Sequence, residues 1–155
     1  FVTVHTSGWA SGPGAAEPTG RAGRAVAPPR VGRHNPPMDV FRVFQIEAAH
    51  YLPNVPEGHK CRRLHGHSFR IEVRVGGEVG AESGWVMDFA DVKRAFQPLF
   101  DQLDHHCLND IDGLENPTSE NLARWIWQRL QPALPGLDRI VVQETCTAGC
   151  SYSGD

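Results

Sequence analysis

The stretch Cys61-Arg62-Arg63-Leu64-His65-Gly66-His67-Ser68-Phe69-Arg70-Ile71-Glu72-Val73-Arg74-Val75 decides the fold of this chain. From Ser68 onward the apolar residues fall at odd positions and the polar ones at even positions. A strand has a side-chain period of two, so His65, His67, Phe69, Ile71, Val73 and Val75 share one face. Two imidazoles therefore enter the buried side of a sheet together, where ring nitrogens need partners. The preceding strand repeats the pattern. Phe44, Ile46, Ala48 and His50 lie on one face, with Val43, Gln45, Glu47 and Ala49 on the other. Paired as a hairpin-like couple, the two strands bring all three histidines to one end of a sheet. The connection, 52–64, is a loop rich in Pro, Gly and charge, and it carries Cys61.

Downstream, Trp85-Val86-Met87 reads as a short extended piece. Asp88 reads as an N-cap with Asp91 in the first turn, where negative charge is favourable. Phe89, Val92, Phe96, Leu99 and Leu103 step by three and four, an amphipathic helix that Pro98 is expected to kink or shorten. Thr118 caps a second helix whose buried stripe is Leu122, Trp125, Ile126 and Leu130, and Pro132 and Pro135 stop it. A third strand covers 139–145, with Glu144 on the face of Ile140 and Val142, and residues 150–152 are expected to add a last short strand. Two strands, two helices and one or two further strands make an α+β domain with both helices on one face of an antiparallel sheet.

Three histidines, two at i and i+2 on one strand and one from its neighbour, form a facial nitrogen set. Zinc accepts imidazole well, and three protein ligands leave a fourth position for water or substrate. A lone His-x-His is ordinarily a pair of strand-edge histidines; the placement of His50 favours the metal. Cys61 lies among Lys60, Arg62 and Arg63, cations that favour a thiolate and so suit a base or nucleophile. A closed four-ligand shell that includes Cys61 is the alternative that spacing leaves open. Asp104 and His105 are adjacent, and an acidic neighbour orients an imidazole. Taken alone, that pair and Glu144 are weak signals. His59 and His106 are read as surface or supporting residues.

At 155 residues the chain suits one domain with a real core. The formal net charge of -3 is uneven: residues 1–37 hold four arginines and one glutamate, a balance of +3, which leaves -6 for the rest. That mildly acidic body argues against nucleic acid as a partner. The sequence has no run of about 18 apolar residues to span a membrane. Four cysteines with neither a Cys-x-x-Cys pair nor a signal peptide suggest a thiol-reducing, cytoplasmic setting. Residues 1–37, rich in Pro, Gly, Ala and Arg without apolar periodicity, are expected to be a disordered extension. Met38 is the expected natural start of the 38–155 domain, with the extension as upstream read-through; a basic tail with a binding role is the alternative.

Together the motifs resemble the 6-pyruvoyl-tetrahydropterin synthase family, and within it the bacterial carboxy-forming branch of queuosine biosynthesis. The resemblance is carried by Glu-Ala-Ala-His at 47–50, Pro-Glu-Gly-His-Lys-Cys at 56–61 and Leu-His-Gly-His at 64–67. It continues in Leu-Asp-His-His at 103–106, Glu-Asn-Pro-Thr-Ser-Glu at 115–120 and Glu-Thr-Cys-Thr-Ala-Gly-Cys at 144–150. It spans the chain from about Phe41 to the end.

The resemblance implies a tunnelling fold, in which sheets from several subunits close a barrel, and hence a homohexamer of two trimers. It implies Zn2+ on His50, His65 and His67, and 7,8-dihydroneopterin triphosphate as substrate. Cys61 is implied as proton acceptor, and Asp104, His105 and Glu144 as assistants or relays. Glu144 is also implied to anchor the pterin's amino-pyrimidine edge, with Thr145, Thr118 and Glu120 as further substrate-binding positions. Zinc would act as a Lewis acid, and the products would be 6-carboxy-tetrahydropterin, acetaldehyde and triphosphate. Three residues separate Cys61 from His65, as in the carboxy-forming branch, whereas the pyruvoyl-forming animal enzymes carry a longer insert there. The alternatives are a pyruvoyl-forming synthase and a catalytically inert zinc- or pterin-binding homologue.

Overall fold

The structure, a computed structural model, describes residues 38–154. The extension expected at 1–37 and the final residue lie outside the described residues. Four strands form one antiparallel sheet in sequence order: β1 (Met38–His50), β2 (His65–Gly77), β3 (Leu137–Thr145) and β4 (Ala148–Tyr152). Two helices, α1 (Phe89–Leu103) and α2 (Ser119–Leu130), lie between β2 and β3 in the chain. Short 3₁₀ turns occupy Lys60–Arg62 and Leu108–Asp110.

Register follows from the alternation. β1 and β2 pair without interruption from Met38 opposite Gly77 to His50 opposite His65, so the apolar face of one strand continues on the other. Ile46, Phe69, Ile71, Val73, Ile140 and Val142 are fully buried on that face. They meet Val92, Phe96, Leu99 and Leu103 of α1 and Leu122, Ala123, Trp125, Ile126 and Leu130 of α2. Phe44 on β1 stacks on Phe96 of α1 with ring centroids 4.0 Å apart, fixing α1 against β1. Both helices are capped as their sequences suggest: Asp88 accepts from the Ala90 N–H and Thr118 from the Asn121 N–H.

Three expectations are corrected. Residues 85–87 form bends rather than an extended piece. α1 is not shortened at Pro98 but runs through it. Pro98 and Arg94, whose carbonyl would have received its missing N–H, both lie on the exposed side, where water replaces that bond. Phe89, read as part of the buried stripe, is 50% exposed at the first turn of the helix.

The helix-free face carries a charged row. Glu72, buried on that face, receives hydrogen bonds from Arg70 and Arg74, and Arg74 also reaches Asp39. Neither the outer edge of β1 nor that of β4 pairs with another strand of the sheet. Among the described residues no helix is long and apolar enough to cross a membrane.

Candidate metal centre

The β1–β2 register decides the centre. His50 faces His65 across the last pair of the ladder, and His67 lies opposite Ala48 one inward-facing step back. Two of the three rings are then fixed by the backbone. His50 donates from Nδ1 to the Pro117 carbonyl at 2.9 Å, and His65 donates from Nδ1 to the Arg63 carbonyl at 2.7 Å. A carbonyl can only accept, so in the neutral rings both Nε2 atoms carry lone pairs. Yet those two Nε2 atoms stand 3.1 Å apart. Two lone pairs at that distance repel unless a proton or a cation lies between them. His50 is fully buried, and burial pushes its pKa down against the opposing pull of the Pro117 hydrogen bond, which keeps the ring neutral. A cation shared by the two nitrogens would relieve that repulsion.

Glu144 completes the set. Its Oε1 lies 3.0 Å from His67 Nε2 and 4.0 Å from His50 Nε2. His67 Nε2 is nonetheless buried without a hydrogen-bond partner. One ligand atom from each of His50, His65, His67 and Glu144 falls within 4.8 Å of the others, so the four could hold a metal ion. Nitrogens bound to one tetrahedral zinc at its usual bond length stand about 3.3 Å apart, close to the His50–His65 spacing. Cys61 is not a member of this cluster; the fourth donor is Glu144.

Glu144 owes its position to a defect in the ladder. Gln143 pairs with Gly149 and Thr145 with Ala148, so Glu144 is the extra residue of a β-bulge, a device that re-aims a side chain. Gly149 permits it. A Cβ there would overlap the Val142 carbonyl oxygen and stand 2.8 Å from Gln143 Cα. The other carboxylate oxygen, Oε2, accepts from the Ser119 hydroxyl at 3.0 Å. Ser119 is the first residue of α2 and is nearly buried. Sequence reading missed both partners. Ser119 sits inside the 115–120 motif and is inconspicuous beside its capping neighbour, and a bulge is invisible until the register is known.

Cys61 lies in the 3₁₀ turn, half-buried, in a cleft of about 530 Å³ shared with Lys60, Arg63, His65, His67, Glu144 and Thr145. Its loop is pinned. The Cys61 N–H donates to His59 Nδ1, its carbonyl accepts from the Leu52 N–H, and Arg62 donates to the carbonyls of Pro53 and Val55. Arg62 thus holds the loop, while Lys60 and Arg63 face the cleft.

Asp104 and His105 occupy another corner. His105 Nδ1 lies 2.8 Å from Asp104 Oδ2, and Asp104 Oδ1 accepts from the Glu47 N–H at 2.9 Å. The Glu47 hydrogen bond, then the His105 one, holds the Asp104 carboxyl below the usual carboxylate range. His105 has φ 59°, an uncommon left-handed conformation for a side chain of its kind. It is stabilised there because residues 105–107 run alongside β1: the His105 N–H donates to the Glu47 carbonyl, and the Ala49 N–H to the His106 carbonyl. His105 lines a second cleft, of about 490 Å³, with Glu47, Gly66 and His67. The two clefts share His67. Of the remaining positions, Thr145 faces the Cys61 cleft, the Thr118 hydroxyl is engaged as the α2 cap, and Glu120 is exposed in the first turn of α2.

Comparison with known proteins points one way. Residues 39–155 match the family model described as 6-pyruvoyl tetrahydropterin synthase. A Synechocystis protein named 6-carboxy-5,6,7,8-tetrahydropterin synthase is 50% identical over 119 residues, covering 73% of this chain and 91% of the relative. A Pyrococcus furiosus dihydroneopterin monophosphate aldolase is 47% identical over 73 residues, covering 47% of this chain and 60% of that protein. Among solved structures, Caenorhabditis elegans 6-pyruvoyl tetrahydropterin synthase superposes with a TM-score of 0.71 at 28% identity, covering 76% of this chain and 96% of that one.

Proposed function

The chain belongs to the 6-pyruvoyl tetrahydropterin synthase family and has the α+β tunnelling fold, and from that premise we propose that it is the carboxy-forming enzyme, converting 7,8-dihydroneopterin triphosphate into 6-carboxy-5,6,7,8-tetrahydropterin with release of acetaldehyde and triphosphate. The observation that carries this reading is the convergence of three imidazole nitrogens beside a cleft that presents both a thiol and a carboxylate. The three-residue spacing from Cys61 to His65 and the name of the Synechocystis relative favour the carboxy product over the pyruvoyl one.

In this reading His50, His65 and His67 hold Zn2+, which when bound supplies Lewis acidity toward the hydroxyls of the substrate side chain. Glu144 recognises the pterin ring, since the amino-pyrimidine edge offers two parallel donors that a carboxylate pairs with bidentately. Cys61, on the wall of the same cleft, takes the carbon-bound proton next to the polarised hydroxyl. Lys60 and Arg63 face the cleft with positive charge and suit the triphosphate; Arg62 is committed to the loop. His105, oriented by Asp104, serves as the second acid–base group. His105 lines the other cleft, so we propose that it acts on a site completed by a neighbouring subunit, in a homohexamer assembled through the β4 edge, the part of the β1 edge that residues 104–107 leave uncovered, and the helix-free sheet face.

The test is incubation of zinc-loaded protein with 7,8-dihydroneopterin triphosphate and mass identification of the pterin. The 6-carboxy product with one equivalent of acetaldehyde is expected. A 6-pyruvoyl product would move the chain to the other branch. Preference for dihydroneopterin monophosphate would move it toward the activity named for the Pyrococcus relative, and metal and pterin binding without turnover would leave an inert homologue.

A further inference from the structure

Three N–H groups at the site end of β1 are received by one connection. Glu47, Ala49 and Tyr51 alternate with the inward-facing Ala48 and His50. Their N–H groups donate to Asp104 Oδ1 at 2.9 Å, the His106 carbonyl at 3.0 Å and Asn109 Oδ1 at 2.9 Å. The first two acceptors belong to the His105 corner. The third lies beside the metal corner, and Asn109 does more there than accept. Its Nδ2 donates to the Tyr51 carbonyl at 2.8 Å and to the Glu115 carbonyl at 3.2 Å. One amide thus meets both main-chain groups of Tyr51, as a paired strand would, and also reaches the loop whose Pro117 carbonyl receives His50 Nδ1. Reversed, the amide would set its NH2 against an N–H and its oxygen against two carbonyls, so a single orientation is allowed. We infer that Asn109 is the positioning residue of His50: it ties the strand end that carries the ring to the loop that receives it, and so keeps Nε2 aimed at the metal position before any metal is bound. This inference rests on the reading of His50 as a metal ligand.

His50 is the ligand that most needs such a tie. It is the buried member of the four groups that could meet a metal. A ring displaced from Pro117 would leave a buried donor and a buried carbonyl unpaired. The ring hangs between its own backbone and a carbonyl 67 residues further along the chain. The β1–β2 ladder does not set the separation of those two anchors, because it ends at His50 opposite His65. Asn109 does set it, from a 3₁₀ turn that the fully buried Leu108 seats in the core.

Two variants test the tie. Asn109→Ala removes all three hydrogen bonds, whereas Asn109→Asp keeps the acceptor and the shape but loses both donors. Competition with a chelator should show zinc affinity lowered about 10-fold or more in Asn109→Ala, with Asn109→Asp between it and the wild type. In the metal-free protein the His50 Nδ1–H, followed by NMR with isotope-labelled histidine, should exchange with water about tenfold faster in Asn109→Ala. The amides of Ile71 and Val73, buried on a central strand, open with the whole fold and should change less. Equal acceleration of ring and amides would mean that Asn109 only stabilises the fold. Either that result or an unchanged zinc affinity would overturn the inference. If the alanine variant does not fold, the aspartate variant decides by the same two comparisons. A wild type that binds no zinc defeats the metal reading alone, and the exchange comparison still decides whether Asn109 holds His50.

Discussion

The two clefts that meet at His67 are built to different degrees. On the Cys61 side three of the four groups that could meet a metal are held from behind. His50 is locked by Pro117, His65 by Arg63, Glu144 by Ser119, and the Cys61 loop by His59, Leu52 and Arg62. On the Asp104–His105 side the backbone is fixed just as firmly, with an uncommon φ at His105, yet the imidazole itself is 76% exposed and pairs with Asp104. One corner is complete within a single chain. The other is organised to the last backbone bond and then presented outward, as expected of a group whose target comes with the substrate or another copy of the chain.

The largest effect should come from removing a locked ligand. His65→Ala should lose zinc, read by metal analysis after dialysis, and should lower turnover about 10³-fold or more, since Lewis-acid catalysis is worth several kcal/mol. His50→Ala should do the same and also lower stability by about 1–3 kcal/mol, because the buried Pro117 carbonyl loses its donor. Full zinc retention in either variant would break the contrast at its stronger end.

Cys61 tests whether the finished corner divides into metal holders and a proton carrier. Cys61→Ala should keep its zinc and lose about 10²–10⁴ in turnover, the usual range for a general base. Zinc lost together with the thiol would make Cys61 a ligand after all.

His105 tests the outward corner. His105→Ala should retain zinc and lose about 10²-fold in turnover. Cys61→Ala and His105→Ala chains, each nearly inactive, should regain turnover when dissociated and reassembled together if His105 serves a neighbour's site. No recovery would mean that each chain supplies its own His105.

Much of the finished corner was legible in the sequence because it depends on periodicity. Once Ile46, Phe69 and Ile71 must face the core, the period of two carries His50, His65 and His67 to the same face, and the register follows from the hairpin. The helix stripes were legible for the same reason. What periodicity does not encode stayed hidden. The bulge at Glu144 depends on how β4 returns beside β3 and on Gly149 having no Cβ. The Ser119 contact joins the start of a helix to the end of a strand 25 residues away. Trp85-Val86-Met87 misled because its composition suits a strand, while no neighbouring strand is there to pair with it. Pro98 did not end the helix because the cost of a missing hydrogen bond depends on whether water can replace it.

Gly149→Ala probes the bulge at smaller cost. The added methyl must displace the Val142–Gln143 backbone, which shifts Glu144 without touching the histidines. Zinc should remain bound through the three imidazoles. KM should rise about tenfold, the weight of one weakened charged hydrogen bond, while kcat moves less. Equal losses in kcat and KM would mean that the bulge positions more than the ring-binding carboxylate.

The smallest effect belongs to Asp104, and its sign is fixed by the direction of its shift. The Glu47 N–H and His105 stabilise the ionised carboxyl, so its pKa in the folded chain is below the ordinary 3.8. Between those two values the unfolded chain binds the extra proton, and stability rises with pH there. The contribution is therefore complete above the ordinary value and is lost as the pH falls through the folded one. Melting temperatures of wild type and Asp104→Asn should differ at pH 6, and the difference should begin to shrink as the pH falls below 3.8. A gap that does not narrow at all as the pH falls below 3.8 would show that Asp104 supports the His105 turn by shape rather than charge, and the outward corner would then be held by its backbone bonds alone.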